Sequence, residues 1–162
     1  MQIAIISDTH MPRGARAIPA GCLERCAAAD AILHAGDLSD VPVLDLLRDL
    51  GPPVHAIHGN VDSAAVRALL PARLELELGG VRVGMTHIPG PARDRVSRLR
   101  ADFPACAAVI FGHTHMPEHG ELDGFQIFNP GSPTERRRAP VHTMGVATVD
   151  NGKITFDLLV VG

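Results

Sequence analysis

Five clusters of metal-type ligands occur along this chain, each shortly after an apolar, strand-like run. They contain Asp8 and His10, then Asp37, then Asn60, then His87, and finally His113 and His115. Carboxylate, imidazole and amide groups at the ends of several strands converge in space if those strands share a sheet. No cysteine lies in the clusters, so they predict a mixed nitrogen and oxygen site for divalent metal ions.

Seven donors are enough for two ions that share one carboxylate. Two divalent ions joined by an oxygen bridge lie ~3.5–4 Å apart, neutralise a phosphate and turn a bound water into hydroxide. Asp is the natural bridging residue because each of its oxygens can bind a different ion. We expect two divalent cations, with manganese preferred and iron, zinc or nickel as alternatives; calcium does not suit so many imidazoles.

Length and composition restrict the class of protein. A chain of 162 residues with 46% hydrophobic and 20% charged residues predicts one globular domain over residues 1–162. A net charge of -3 and the absence of Trp and Tyr disfavour nucleic acid as a partner. No apolar run reaches the ~18–20 residues of a membrane span. Cleavage of a signal peptide would remove Asp8 and His10, so the sequence predicts a cytoplasmic protein with reduced, buried cysteines.

The first half of the chain alternates strands and helices. The predicted strands are Met1–Ser7, Ala31–His34 and Val54–His58, and the predicted helices are Pro19–Ala29, Val41–Leu50 and Ser63–Leu70. This order is typical of a largely parallel sheet with helices on its faces.

The second half is richer in strands. Arg73–Leu78 and Val81–Thr86 flank a hairpin turn at Gly79-Gly80, a helix is expected over Ala92–Arg100, and further strands are expected over Ala107–Phe111, Gly124–Phe128, Val146–Val149 and Ile154–Val160. Asn129-Pro130-Gly131-Ser132 is a turn cluster. Two sheets packed face to face, with helices outside, are the simplest architecture for both halves.

The clusters follow the order of the calcineurin-like metallophosphoesterase superfamily. The matching motifs are Asp8-x-His10, Gly36-Asp37, Gly59-Asn60, His87 and Gly112-His113-x-His115. Together with the short length and the Asn129–Ser132 turn, the whole chain resembles the small bacterial and archaeal phosphodiesterase branch of that family. The resemblance implies an α/β fold: a four-layer α/β/β/α sandwich with two mixed β-sheets flanked by helices.

The same resemblance implies a role for each ligand. Asp8, His10 and His115 would hold the first metal, Asn60, His87 and His113 the second, and Asp37 would bridge the two. The implied activity is that of a metal-dependent phosphodiesterase, which attacks a small-molecule phosphate ester with a metal-bound hydroxide. The oligomeric state is left open.

One position departs from the family pattern. Many members carry His directly after the Asn of Gly-Asn, where it helps to protonate the leaving oxygen, whereas this chain has Val61 followed by Asp62. His58 and Asp62 are therefore the candidates for the general acid. Arg136-Arg137-Arg138 could hold a substrate phosphate by paired N–H donors, or form a solvated loop.

An alternative function uses the same fold without catalysis. The small phosphoesterase-like subunit of the retromer coat is a protein-binding module, and its ligand set is incomplete. Here all seven positions carry competent donors. Unpaired Asp and His clusters are costly to keep without metal, so the sequence favours the hydrolase.

Overall fold

Ten strands and four helices make up the structure, a computed structural model that describes residues Met1–Gly162. In chain order the strands are β1 (Gln2–Ile6), β2 (Ala31–His34), β3 (Val54–Ala56), β4 (Arg73–Leu78), β5 (Val81–Thr86), β6 (Ala108–Ile110), β7 (Glu118–Leu122), β8 (Phe125–Asn129), β9 (Thr143–Asp150) and β10 (Lys153–Val160). The helices are α1 (Ala20–Ala27), α2 (Val41–Arg48), α3 (Ala64–Leu69) and α4 (Arg95–Asp102).

The strands form two mixed five-stranded sheets. The first has the order β10-β9-β1-β2-β3, in which β1, β2 and β3 are parallel and β9 runs antiparallel to both β1 and β10. The second has the order β4-β5-β6-β8-β7, in which β5, β6 and β8 are parallel. Helical crossovers return the chain to the same end of the first sheet, which is why its strands β1 to β3 are parallel.

Alternate side chains of the strands point to opposite faces, and this produces the layers. Ile3 and Ile5 of β1 belong to the core between the two sheets, together with Ile110 and Phe128 of the second sheet. The intervening residues of β1 pack against buried side chains of α1, α2 and α3. Leu99 of α4 covers the other face of the second sheet. The predicted α/β/β/α order of layers is therefore confirmed.

The sequence-based elements differ from the structure by more than two residues at three places, one of which is β9, which begins at Thr143 rather than at Val146. Strand β7 was not predicted, because Glu118–Leu122 has no apolar run; it forms an edge of the second sheet by pairing antiparallel with β8. The helix expected over Ala92–Arg100 begins later, at Arg95, because Asp94 has a left-handed backbone with φ 54°. That conformation cannot continue a right-handed helix.

The three cysteines are buried and none forms a disulfide, as the sequence predicted. None of the four helices has the length and apolar composition of a membrane-spanning segment. The assignment of residues 1–162 to one domain stays a prediction.

Candidate metal centre

The predicted ligands lie in five loops that follow strands at one end of the molecule. These loops follow β1, β2 and β3, which are parallel to one another in the first sheet, and β5 and β6, which are parallel to each other in the second, so within each sheet the carboxyl ends lie at the same edge. Backbone hydrogen bonds join the loops: Asp8 N–H donates to Gly36 O at 3.0 Å, and His10 N–H donates to Asp37 O at 3.0 Å. The fold therefore brings together residues up to 107 positions apart, from Asp8 to His115.

The side chains of the candidate ligands form two groups. Asp8, His10 and His115 present ligand atoms within 4.8 Å of one another, and so do Asp37, His87 and His113. In the first group His10 Nε2 lies 3.1 Å from His115 Nε2. Beside the second group, Asn60 Oδ1 lies 2.8 Å from a ring nitrogen of His113. This is the division of ligands that the family resemblance implies.

Asp37 lies between the two groups. Its Oδ2 is 3.1 Å from His87 Nε2 and 3.7 Å from His10 Nε2, whereas its Oδ1 accepts the N–H of Val61 at 2.9 Å. Burial alone would raise the pKa of Asp37, but the contacts with His87 and the Val61 N–H outweigh it and hold that pKa at about 2. Asp37 is thus a carboxylate whose Oδ2 faces both groups, so it could bridge two ions through this single oxygen rather than through one oxygen for each ion.

The arrangement of His87 fits a bound cation. Its Nδ1 donates to Ala35 O at 2.7 Å, so the buried Nε2 of the neutral ring carries a lone pair, and no hydrogen-bond donor lies beside it. That nitrogen faces Asp37 Oδ2, and two acceptors at 3.1 Å repel each other unless a positive charge lies between them. Burial lowers the pKa of His87, but Asp37 and Asp8 outweigh burial and raise it, so the same carboxylates that attract a proton would attract a metal ion.

In the first group, too, lone pairs of nitrogen and oxygen atoms face one another. His115 donates from Nδ1 to the carbonyl of Glu135, which leaves its Nε2 as an acceptor 3.3 Å from Asp8 Oδ1. Nitrogen and carboxylate lone pairs thus converge in both groups. This donor set fits two divalent cations with mixed nitrogen and oxygen ligands.

The backbone of these loops is strained where the ligands are placed. Five of the seven candidates have a left-handed backbone: Asp8 (φ 57°), His10 (46°), Asp37 (58°), His113 (71°) and His115 (58°). Such a conformation costs a residue with a Cβ roughly 1–2 kcal/mol. Strain of this kind concentrates at functional sites, where the surrounding structure holds it. The loops are shaped to direct the side chains inward rather than to minimise their own energy.

Two glycines of the motifs are required by close packing. A Cβ at Gly59 would lie 2.1 Å from Asp37 Oδ1, and a Cβ at Gly112 would lie 2.0 Å from Ser7 Oγ and 2.7 Å from Asp8 Oδ2. No side chain fits at such distances. The glycine that precedes Asn60 or His113 therefore leaves space for a carboxylate from another loop.

The Asn129–Ser132 turn fastens loops that carry ligands. Ser132 Oγ donates to Asp8 O at 2.8 Å, and Asn129 Nδ2 donates to Gly112 O at 3.1 Å and to Thr114 Oγ1 at 3.0 Å. From the sequence, these residues were identified as a turn and as part of the family resemblance, with no structural role assigned to their side chains. In the structure they hold the loops of Asp8 and His113 by side-chain hydrogen bonds.

His34 orients a ligand loop rather than binding metal. Its Nδ1 accepts the N–H of Gly36 at 3.2 Å, so its Nε2 donates to Thr9 Oγ1 at 3.0 Å. Burial lowers the pKa of His34 to about 4, which keeps the ring neutral. Thr9 lies between Asp8 and His10 in the chain, so this contact fixes their relative placement.

Asp62 has a different role from the one that the sequence suggested. Its Oδ2 accepts the N–H groups of Asp37 at 3.0 Å and Gly59 at 2.6 Å, and its Oδ1 accepts that of Ser39 at 2.6 Å. The side chain is buried, and both of its oxygens are turned toward backbone N–H groups. This corrects the interpretation of Asp62 as a general acid: it braces the loops of Asp37 and Asn60.

His58, the other candidate, faces a cavity beside the second group. The cavity has a volume of about 480 Å³ and is lined by His58, Gly59, Asn60, Arg67, Ala72, Thr86, His87 and Ile88. His58 is half-buried, with Nδ1 3.2 Å from Gly59 O. It remains a candidate proton donor to a group bound in this cavity.

Comparison with known proteins agrees with the geometry. Residues 1–152 match the model of the calcineurin-like phosphoesterase superfamily domain. A probable metallophosphoesterase of Methanothermobacter thermautotrophicus is 35% identical over 164 residues, which cover 100% of this chain and 94% of the relative. A phosphodiesterase of Methanocaldococcus jannaschii is 24% identical over 144 residues, which cover 81% of this chain and 83% of the relative.

A solved structure has the same fold. Wild-type Vps29 from Entamoeba histolytica, crystallised in complex with Zn²⁺, superposes with a TM-score of 0.78 at 24% identity, over 99% of each chain. At this identity the likeness concerns the fold. It places both sheets and the flanking helices in one known architecture.

Proposed function

The chain belongs to the calcineurin-like phosphoesterase superfamily, and on that premise we propose that it hydrolyses phosphodiesters with two divalent metal ions. The observation that carries the proposal is the position of Asp37, whose Oδ2 faces His10 of the first group and His87 of the second. A single carboxylate oxygen shared by two groups of donors is the arrangement that joins two metal ions into one centre.

Each candidate ligand is assigned to one of the two ions or to both. Asp8, His10 and His115 would hold one cation, Asn60, His87 and His113 the other, and Asp37 both. When bound, two such cations neutralise the phosphate and lower the pKa of the attacking water, and we propose manganese as the metal. Asp62 and the Val61 N–H keep Asp37 in place, so that the bridging carboxylate does not turn away.

Exposure indicates where a substrate enters. Asp8, His10 and His115 are buried, whereas Asn60 is exposed and His113 is half-buried. A phosphate therefore approaches from the side of the second group. Burial lowers the pKa of His113, and the charges of His87 and Arg137 lower it further; the charge of Arg137 also acts on His115, so this cationic side chain lies near both groups and favours an anionic substrate.

The cavity beside the second group would receive the organic part of the ester. Arg67 lies in its wall, where Nε donates to Asp62 O at 3.0 Å and Nη2 donates to Asn60 O at 2.6 Å. Ile88, 52% exposed, supplies an apolar surface in the same wall. A small-molecule ester with a partly apolar organic group suits this lining. The similarity to the M. jannaschii phosphodiesterase supports a diester.

The likeness to Vps29 is the observation that favours a second candidate, a protein-binding module. Since that Vps29 structure contains Zn²⁺, metal binding by itself does not separate the two functions. Turnover does. The exposed entrance and the cavity next to the ligands favour the hydrolase, because a binding surface does not need them.

We expect manganese-loaded protein to hydrolyse bis(p-nitrophenyl) phosphate at least about a hundredfold faster than an alkyl phosphomonoester such as glycerol phosphate. The reason is that the Val61 side chain cannot donate a proton to a poor leaving group. Steady-state rates on both substrates measure this, and chelator-treated protein is the control. Equal rates on the two esters would contradict the phosphodiesterase assignment. No turnover of any phosphate ester with ions bound would favour the binding module.

A further inference from the structure

Glu135 places an additional carboxylate beside the first group. Its Oε2 lies 3.7 Å from His10 Nε2, the same distance at which Asp8 Oδ1 and Asp37 Oδ2 approach that nitrogen. Three carboxylates, from loops distant in sequence, thus converge on one imidazole. No cluster or family motif in the sequence pointed to Glu135.

Contacts on several sides fix the position of Glu135. Its N–H donates to Ser132 Oγ at 2.9 Å, and its carbonyl accepts the Nδ1 proton of His115. Its Oε1 accepts from Arg16 Nη2 at 2.7 Å. Arg16 comes from the loop that follows His10, so this ion pair joins the Glu135 loop to the loop of a predicted ligand.

The second oxygen of Glu135 has no partner. Oε2 is buried and makes no hydrogen bond, although Oε1 of the same carboxylate is paired. A buried acceptor left without a donor is destabilising, and a charged one more so. Beside Oε2 stands His10 Nε2, whose other neighbours are acceptors. A cation in the first group would satisfy Oε2 and these neighbours together.

We propose that Glu135 is a further ligand of the ion held by Asp8, His10 and His115, and that Arg16 is a positioning residue that binds Oε1 and so directs Oε2 to the ion. The proposal rests on the two-metal centre proposed above. It makes the first group richer in carboxylate than the second, whose neutral ligands are imidazoles and an amide. An additional carboxylate strengthens the binding of harder ions such as Mn²⁺ more than that of Zn²⁺, and so narrows the difference between them.

Manganese binding to metal-free protein, followed by electron paramagnetic resonance of the free ion, tests the assignment without any substrate. We expect two sites per chain in the wild type. Glu135→Gln keeps an acceptor for Arg16 but removes the charge, and should weaken one site at least tenfold while leaving the other within threefold. Glu135→Asp should bind with intermediate affinity, and zinc affinity should fall less than manganese affinity.

Arg16→Gln is the matched control, because it removes the partner of Glu135 and keeps the carboxylate. It should weaken the same site less than Glu135→Gln does. If Glu135 and Arg16 form only an ion pair, both variants will bind both ions as the wild type does, and that result overturns the proposal. Two bound ions without turnover would contradict the proposed hydrolysis and leave the ligand assignment supported.

Discussion

Replacement of Asp37 by Asn should reduce phosphodiester hydrolysis at least about a hundredfold, since removal of a bridging ligand forfeits several kcal/mol of charge stabilisation. Asn offers one carbonyl oxygen and an amide N–H₂ where Asp37 offers two anionic oxygens. If the carbonyl keeps the N–H of Val61, the amide nitrogen faces His87 and His10, and no oxygen is left to join two ions. Rates on bis(p-nitrophenyl) phosphate at saturating manganese measure the loss.

The fold should survive this change. Asp37 has φ 58°, and Asn is among the residues that tolerate a left-handed backbone best. Metal-free variant and metal-free wild type should therefore melt within a few degrees of each other. Asp40→Asn is the matched control: Asp40 begins α2 by accepting the Val41 N–H, and Asn is an equally good residue there. Activity of Asp37→Asn within tenfold of the wild type would argue against a bridging role.

Installing a proton donor next to Asn60 should broaden the range of leaving groups. General acid catalysis contributes about 10²–10⁴-fold where a leaving group is poor. We expect Val61→His to raise turnover of an alkyl phosphodiester at least tenfold and that of bis(p-nitrophenyl) phosphate less than threefold. The Val61 side chain is 46% exposed, so a larger ring can be accommodated, and the backbone N–H to Asp37 is retained.

Val61→Asn is the control for this gain, because it introduces a polar side chain without a titratable proton. It should leave both rates near those of the wild type. An equal gain from Asn and His would mean that polarity at this position, rather than proton transfer, limits the reaction. No gain from His would indicate that a donor already exists, and His58 in the cavity wall would then be that residue.

Local sequence patterns predict much of the fold. Ile3–Ile6 is a continuous apolar run because both faces of β1 are buried, one against the second sheet and one against helices. Gly79-Gly80 separates β4 and β5 as predicted. Strand β7 could not be found in this way, because Glu118–Leu122 is a polar edge strand that exists through pairing with β8.

The seven candidate ligands could also be predicted from local patterns, because each follows the end of a predicted strand. The order of the strands in the two sheets then brings them together. The role of Asp62 was misjudged and Glu135 was missed, because both contact residues that are distant in sequence. Asp62 accepts from Ser39, and Glu135 contacts His10 and Arg16. Such contacts leave no periodicity or motif, so only the three-dimensional structure reveals them.

The most direct test of the two-metal account is a titration of metal-free protein with manganese, in which ions bound per chain and hydrolysis of bis(p-nitrophenyl) phosphate are recorded at each point. Because Asp37 is shared by both groups, activity should rise only as the second ion binds and reach its maximum at two ions per chain. Full activity with at most one ion bound per chain would contradict the account.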